Sequence, residues 1–256
     1  MKIYVLTQED AFYIPVIVDH LLAQRNDIIG VGIVPGELRP GNVQRYWRIM
    51  GPRDFILQSL NLVLHKALAI IGRVVPLSRN YSVAGAARRA KVACEVVPKV
   101  NDPAFIQRMR VLGVDLIVSI ACPQKLKRDI LRTPALGCIN LHGSLLPSYQ
   151  GLLPSFWVLA HGEKETGVTV HYMDEDIDHG DIILQERVPI EPSDTVHSLV
   201  HRSKVGVGRH VLARAIGLIE RGEVVRQPMD LSRASSFSYP TDDGVRQLRR
   251  RGRRFI

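Results

Sequence analysis

The chain has 256 residues, of which 46% are hydrophobic and 23% are charged. This is the composition of an ordinary globular protein, and it excludes an intrinsically disordered chain. The length fits one large α/β domain, or a domain of roughly 200 residues with a short appendage. A formal net charge of +9 is a surplus that suits contact with phosphate-bearing partners.

Strand-like and helix-like segments alternate through the first 150 residues. Apolar runs predict strands over 2–6, 28–34, 93–97 and 114–120, and a further strand that ends at residue 142. Helices are predicted over 12–24, 55–71, 84–90, 103–112 and 125–131, with a loop opened by Pro35, Gly36, Pro40 and Gly41. Short apolar strands between helices predict an α/β fold with a Rossmann-like, mostly parallel sheet covered by helices on both faces.

After residue 142 the pattern changes to a short helix (154–161) and two antiparallel strands (167–173 and 181–189) around an acidic turn. Asp194 is the predicted N-cap of a long helix from 195 to about 221. We therefore divide the chain into a catalytic domain (1–222) and a short C-terminal extension (223–256). This extension ends in a basic helix with six arginines over residues 241–256. The helix is interpreted as solvated and partly frayed, with phosphate binding as the alternative.

Two further features bear on location. Cys94, Cys122 and Cys138 are widely spaced and lack a Cys-x-x-Cys pair, which predicts reduced core cysteines in a cytoplasmic protein. The apolar stretch 55–71 is interrupted by polar residues such as Gln58 and Lys66. It therefore predicts an amphipathic helix, packed on the domain or facing a partner, and no membrane span.

The most informative residues lie at the end of the strand that precedes residue 143. Asn140 and His142 are two positions apart, so both side chains point to the same side of that strand. The acidic turn that contains Asp178 follows about 30 residues later. An amide, an imidazole and a carboxylate brought together at a strand end suit acyl transfer, which needs an oxyanion stabiliser and a proton acceptor.

These segments resemble the formyltransferases that use 10-formyltetrahydrofolate. The resemblance rests on Asn-x-His ahead of Ser-Leu-Leu-Pro (144–147), a Gly-Val-Thr strand (167–169), and an Asp two residues before Gly180-Asp181. It implies Asn140, His142 and Asp178 as the catalytic residues and 10-formyltetrahydrofolate as the formyl donor. Folate-binding positions are assigned on the same basis to Cys122, Pro123, Gln124, Leu145, Leu146 and Asp174, the last with simple solvent exposure as its alternative.

Other cofactors are disfavoured. The turn over residues 6–12 contains no glycine, whereas a dinucleotide fingerprint requires Gly-x-Gly-x-x-Gly there, so NAD and FAD are not expected. Glu9 and Asp10 in this turn would also repel a phosphate, which argues against glycinamide ribonucleotide as the acceptor. The acidic turn lacks the register of a calcium loop, and no metal is expected.

The acceptor is predicted to be a small primary amine, most plausibly an amino sugar. The residues His-Gly-Ser-Leu-Leu-Pro (142–147) resemble the corresponding motif of sugar N-formyltransferases. Three alternatives remain: a methionyl-tRNA formyltransferase, a 10-formyltetrahydrofolate hydrolase, and a non-catalytic RNA-binding protein that uses the basic tail. Nucleic acid is therefore a minority partner, and a homodimer is left open.

Overall fold

A computed structural model describes residues 1–36, 42–75 and 77–256. The predicted loop residues Pro40 and Gly41 lie outside this part of the chain. The main strands are β1 (Ile3–Thr7), β2 (Ile28–Ile33), β3 (Ala93–Val96), β4 (Leu116–Ile120), β5 (Cys138–His142), β7 (Glu165–Tyr172) and β8 (Ile182–Pro189), and a two-stranded pair is formed by β6 (Gln150–Gly151) and β9 (Ser236–Phe237). The helices are α1 (Ile14–Gln24), α2 (Asn42–Met50), α3 (Pro52–Ile71), α4 (Val83–Arg89), α5 (Pro103–Leu112), α6 (Arg128–Leu131), α7 (Pro154–His161), α8 (Val196–Val200), α9 (Arg209–Glu220) and α10 (Asp242–Arg250).

The main sheet has seven strands in the spatial order β3-β2-β1-β4-β5-β7-β8. The strands from β3 to β5 run parallel, whereas β7 is antiparallel to both β5 and β8. This confirms the predicted α/β class with an antiparallel addition. Since parallel strands end at one edge of a sheet, the carboxyl ends of β4 and β5 lie side by side, where α/β proteins commonly place their sites.

Alternating side chains of the buried strands build a core on each face of the sheet. In β1, Ile3 and Val5 pack in the cluster that includes α1, α4 and α9, whereas Tyr4 and Leu6 pack in the cluster that includes α5. This alternation follows from the two-residue repeat of a strand. Helices therefore cover both faces, which leaves the strand ends as the place for polar chemistry.

Several local predictions were wrong. The long helix after Asp194 is divided: a π-helical stretch from His201 to Gly208 separates α8 from α9. The N-cap of α8 is Thr195, which forms a capping box with Ser198, and not the predicted Asp194. Asp194 instead accepts hydrogen bonds from the Glu191 amide and the Ser198 hydroxyl. Helix α2 lies where the sequence predicts neither a helix nor a strand. Cys94 is exposed on the edge strand β3, so it is not a core cysteine; Cys138 is buried.

The C-terminal extension does not fray. Val245 and Leu248 of α10 are buried in a third apolar cluster together with Phe156 and Trp157 of α7. A Cβ added at Gly244 would come within 2.8 Å of the Trp157 ring, so the helix packs too closely there for a side chain. The extension is thus part of the folded body next to α7.

We expect Leu248→Ala to lower the free energy of unfolding by about 2–5 kcal/mol, because it empties a fully buried position between packed helices. Denaturant titration followed by circular dichroism measures the change. Arg250→Ala, on the exposed side of α10, is the matched control with a change near zero. Equal stability of the Leu248 variant and the control would show that α10 is a detached tail.

Helix α3 is mostly exposed, and only its inner side packs on the domain. Of its 20 residues, Asp54 alone is buried. By length and composition α3 is the one helix of the described residues that could cross a membrane. It nevertheless contacts the folded body on its inner side, where Asp54 is buried.

Candidate active site

The carboxyl end of β5 carries the amide and the imidazole that the sequence singled out. Asn140 pairs across the sheet with His171 of β7, and His142 pairs with Thr169. His142, His171 and Thr169 are all buried. The side chains that face this strand end are therefore held by neighbours on both sides and have little freedom to move.

Asp178 reaches this strand end from the turn between β7 and β8. Its Oδ1 atom lies 3.3 Å from Asn140 Nδ2 and 3.5 Å from His171 Nε2, and its Oδ2 atom lies 3.4 Å from His142 Nδ1. Asp178 has a φ of 56°, a left-handed backbone conformation that is costly for a residue with a side chain. The structure thus brings Asn140, His142 and Asp178 together and adds His171.

A second loop fixes the carboxylate from the other side. The Gly151 amide donates to Asp178 Oδ2 at 2.8 Å, and the Gln150 side chain donates to the Asp178 carbonyl at 3.0 Å. Both residues form β6, which pairs with β9 of the C-terminal extension. A Cβ at Gly151 would come within 2.3 Å of the Phe237 carbonyl oxygen. Only glycine therefore allows this strand pair to form beside Asp178.

The hydrogen-bond partners define the imidazole tautomers. His142 Nε2 lies 2.8 Å from the Tyr149 carbonyl oxygen, which can only accept, so that nitrogen carries a proton. His171 Nδ1 likewise donates to the Tyr172 carbonyl at 2.7 Å. Neutral His142 then presents an unprotonated Nδ1 to Asp178. A proton taken up at this atom would be held between the ring and the carboxylate.

Burial and local charges set the ionisation of the pair. Burial alone would raise the pKa of the Asp178 carboxyl, but the His142 and His171 imidazoles and the Gly151 amide hold that pKa well below its usual range. Burial lowers the pKa of His142, and the Asp178 carboxylate offsets only part of this effect. At neutral pH the site therefore combines an ionised carboxylate with a neutral imidazole.

The same burial predicts a loss of stability in acid. The pKa of His142 and that of His197 are both lowered in the folded protein, mainly by burial. The unfolded chain, with a histidine pKa of about 6.5, then binds more protons than the folded chain. Stability is complete above that value and falls as pH drops below it. Thermal unfolding across this range should show the decline, and His142→Gln/His197→Gln should weaken it. An unchanged slope in the double variant would contradict this assignment.

The positions predicted to bind folate fall into two groups in the structure, and the first is the segment after β4. The Cys122-Pro123-Gln124 segment follows the end of β4, next to the end of β5. The Gln124 side chain donates to the Pro98 carbonyl and accepts from the Val100 amide, which fixes the loop. The backbone of this segment is therefore held rigidly beside the strand end that carries Asn140.

The other three predicted folate positions have different surroundings. Leu146 is buried, and Leu145 packs so closely on β7 that a Cβ at Gly167 would come within 2.4 Å of it. Asp174 is exposed and accepts a hydrogen bond from the Asp176 amide within the turn. The two leucines therefore support the loop from inside, and the Asp174 side chain is exposed to solvent.

The turn after β1 contains its own anion. Asp10 Oδ1 accepts hydrogen bonds from the amides of Phe12, Tyr13 and Ile14, at 2.8, 2.5 and 3.1 Å. Free amides at the start of a helix are a common phosphate site. Here the Asp10 carboxylate already satisfies three of these amides.

Two residues near the site were missed from the sequence. Gly151 contributes its backbone, which no side-chain pattern reveals. Lys204 lies on the π-helical stretch; burial lowers its pKa, while Asp178 and Asp10 act to raise it. In the sequence, a lysine in a polar helical segment looks like a surface residue. In the structure it lies on π-helical backbone, a departure from α-helical geometry that often marks functional sites.

This arrangement can support acyl transfer. Asn140 offers amide protons, His142 offers a basic nitrogen, and Asp178 is an ionised proton acceptor, all around one strand end. Such donors stabilise a developing oxyanion, and the carboxylate and imidazole can move a proton. The side chains are held before any substrate binds, so little reorganisation is required.

Comparisons with known proteins agree with this chemistry. Residues 74–216 match the family model described as formyl transferase. The methionyl-tRNA formyltransferase of Syntrophus aciditrophicus (strain SB) is 37% identical over 195 residues, which cover 73% of this chain and 62% of that protein. The methionyl-tRNA formyltransferase of Clostridioides difficile (strain 630) is 34% identical over 199 residues, 74% of this chain and 63% of that protein. The chain thus spans a little under two thirds of the length of these relatives.

Solved structures share the fold. Glycinamide ribonucleotide transformylase 1 from Symbiobacterium toebii superimposes with a TM-score of 0.63 at 23% identity, covering 90% of this chain and 94% of that one. The N-formyltransferase from Helicobacter canadensis, solved with folinic acid and dTDP-3-aminofucose, gives a TM-score of 0.62 at 17% identity, covering 98% and 80%. Since the family model matches more than half of the 256 residues, including Asn140, His142 and Asp178, this chain belongs to the formyl transferase family.

Proposed function

We propose that this chain transfers a formyl group from 10-formyltetrahydrofolate to a primary amine, with Asn140, His142 and Asp178 as the reacting side chains. The observation that carries the proposal is the Asp178 carboxylate, whose two oxygens lie 3.3 Å from Asn140 Nδ2 and 3.4 Å from His142 Nδ1. In this assignment 10-formyltetrahydrofolate supplies an activated formyl carbon bound to a nitrogen leaving group.

Each side chain has a distinct role in the proposed reaction. Asn140 donates from its amide to the oxygen of the tetrahedral intermediate. His142 stabilises the same oxygen when it is protonated, or carries a proton when it is neutral. Asp178 orients His142 and takes the proton of the attacking amine, directly or through water. A proton would pass to the folate nitrogen as its bond to the formyl carbon breaks, so that tetrahydrofolate can leave. His171 holds the Asn140 amide, to which it lies at 3.3 Å.

The loop over residues 122–124 is the proposed side of folate entry. It lies next to the end of β5, and it can present backbone donors and acceptors because the side chain of Gln124 ties it to Pro98 and Val100. We assign Leu145 and Leu146 to the support of this cleft rather than to its polar contacts.

For the acceptor we propose methionyl-tRNA ahead of the amino sugar predicted from the motif. The relatives at 34–37% identity are methionyl-tRNA formyltransferases, whereas the sugar N-formyltransferases are 16–17% identical and share the fold alone. The net charge of +9 also suits a polyanionic acceptor. The amino sugar is the second candidate, because these neighbours match over 98% of this chain.

The test supplies the full chain with 10-formyltetrahydrofolate and, in separate reactions, methionyl-tRNA or a panel of amino-sugar nucleotides. We expect mass spectrometry to show one added formyl group on methionyl-tRNA. A formyl group found only on a sugar would reverse the order of acceptors. Release of formate without an amine would instead identify a hydrolase. If every acceptor stays unmodified while the folate binds, the transferase proposal is wrong.

A further inference from the structure

Helix α3 carries an apolar stripe on its outer side. Exposed side chains recur at positions 56, 60, 63 and 70, and a second row at 57, 64 and 71 lies beside them, a spacing that keeps both rows on one side of a helix. This outer stripe comprises Ile56, Leu57, Leu60, Val63, Leu64, Ile70 and Ile71, which are 39–66% exposed. At 1.5 Å per residue, 16 helical residues extend about 24 Å. Contiguous exposed apolar surface of this kind marks a binding face.

The opposite side of α3 fixes the helix to the protein. Near its start, the buried Asp54 carboxylate accepts hydrogen bonds from the backbone amides of Phe255 and Ile256, at 3.0 and 3.4 Å. Farther along, His65 Nδ1 lies 2.9 Å from the Ala11 carbonyl oxygen and donates to it. With attachments at two points, α3 lies along the surface of the domain and presents the outer stripe outward.

The segment that contains the outer stripe carries a surplus of positive charge. Residues 42–75 contain five cations and one carboxylate, and the carboxylate is the buried Asp54. The cations are Arg45, Arg48, Arg53, Lys66 and Arg73. Arg48 forms an ion pair with Asp242 at 3.2 Å; even so, the surface keeps a positive surplus. Trp47 and Tyr46 on the adjoining α2 are 47% and 41% exposed.

We propose that the outer stripe and its cations bind the surface of a membrane that contains anionic phospholipid. A helix with an apolar side, flanking Lys or Arg residues and nearby Trp or Tyr lies in the plane of the lipid headgroups and buries its apolar side chains. Trp and Tyr prefer that interface, because one end of the ring is apolar and the other is polar. The proposal rests on α3 with the neighbouring residues of 42–75 and is independent of the acceptor.

A second copy of the chain fits this surface less well. In a two-fold dimer the same patch meets itself, so the cations around one stripe would face those around the other. Five cations against one buried carboxylate give such an interface no compensating charge. An anionic lipid surface supplies the opposite charge and accepts a flat apolar stripe. Charge complementarity therefore selects the membrane.

Co-sedimentation of the full chain with vesicles tests the proposal. One set of vesicles contains phosphatidylcholine alone, and the other contains phosphatidylcholine and phosphatidylglycerol in equal parts. We expect partition into the anionic vesicles to be stronger by roughly tenfold or more, and to weaken as salt rises. Failure to bind either kind of vesicle would overturn the proposal.

Two matched pairs of variants locate the contact. Leu60→Asn/Val63→Asn should reduce partition into the vesicles by roughly tenfold or more. The wild-type Leu60 and Val63 side chains would be buried in the lipid, and the variant loses this apolar burial. The control Val111→Asn/Val225→Asn changes two valines outside α3. Each is 76% exposed, more than Leu60 or Val63, and this variant should bind like the wild type. If the two double variants bind alike, α3 is not the contact.

The second pair tests the charge. Arg53→Gln/Lys66→Gln/Arg73→Gln should lose most of the preference for phosphatidylglycerol, whereas Arg110→Gln/Arg128→Gln/Arg132→Gln, which removes three exposed cations at α5 and α6, should keep it. An equal loss in both triples would mean a nonspecific effect of net charge and would overturn the assignment to α3. Sedimentation velocity provides the remaining check: a dimer that dissociates in the Leu60/Val63 variant would assign the stripe to a second copy instead.

Discussion

Replacement of Asp178 by asparagine is expected to slow formyl transfer by about 10²–10⁴-fold, the usual contribution of a positioned acid or base. The carboxylate contacts both Asn140 and His142. An amide of the same shape has no charge to hold a proton on His142 and cannot take one from the amine. Single-turnover rates with saturating 10-formyltetrahydrofolate measure the effect on the chemical step.

The neighbouring Asp176→Asn is the matched control. Its side chain is 72% exposed and lies 3.9 Å from Lys125, away from the buried cluster. It should keep the wild-type rate, and circular dichroism should show that both variants fold. If Asp178→Asn retained more than about a tenth of the rate, the carboxylate could not be the proton acceptor that we assign.

The second large effect is expected for Asn140→Asp. The change removes both amide protons and places a second carboxylate about 3.3 Å from Asp178 Oδ1. Loss of one oxyanion donor costs about 10²–10³-fold. Two carboxylates at this distance cannot both ionise easily, so the pair would also retain a proton that the reaction needs removed. We expect a rate reduction of at least the oxyanion-donor size.

The chain offers a close match for this substitution. Asn80 Nδ2 donates to Asp19 Oδ1 at 2.6 Å, an amide–carboxylate contact remote from the β5 end. Asn80→Asp therefore creates a similar carboxylate pair and should leave transfer unaffected. Equal loss of rate in the Asn80 and Asn140 variants would trace the effect to general destabilisation rather than to the oxyanion.

Features encoded by short-range patterns were predictable from the sequence. Apolar runs identified the strands from β1 to β5, and Asp102 caps α5 through its contact with the Ala104 amide. The two-residue spacing of Asn140 and His142 placed them on one side of a strand. The choice of Asp178 among four nearby aspartates required the family pattern, because only its unusual backbone conformation turns it toward His142.

Features that depend on distant residues were not predictable. Arg251 donates to the Ala160 carbonyl, 91 positions earlier in the chain, and so attaches the basic extension to α7. A run of arginines looks solvated unless this partner is known. Helix α3 presents the opposite case: its residues are apolar on several sides, so periodicity alone cannot tell the covered side from the exposed one.

The pairing of β6 with β9 has a consequence for the order of events during synthesis. The loop that holds Asp178 through Gly151 is itself paired with residues 236–237. A ribosome that has made only the first 222 residues has therefore produced the amide, the imidazole and the carboxylate, but not the strand that pairs with the loop holding Asp178. Catalytic competence would then appear only after residues 236–237 have emerged and paired with β6.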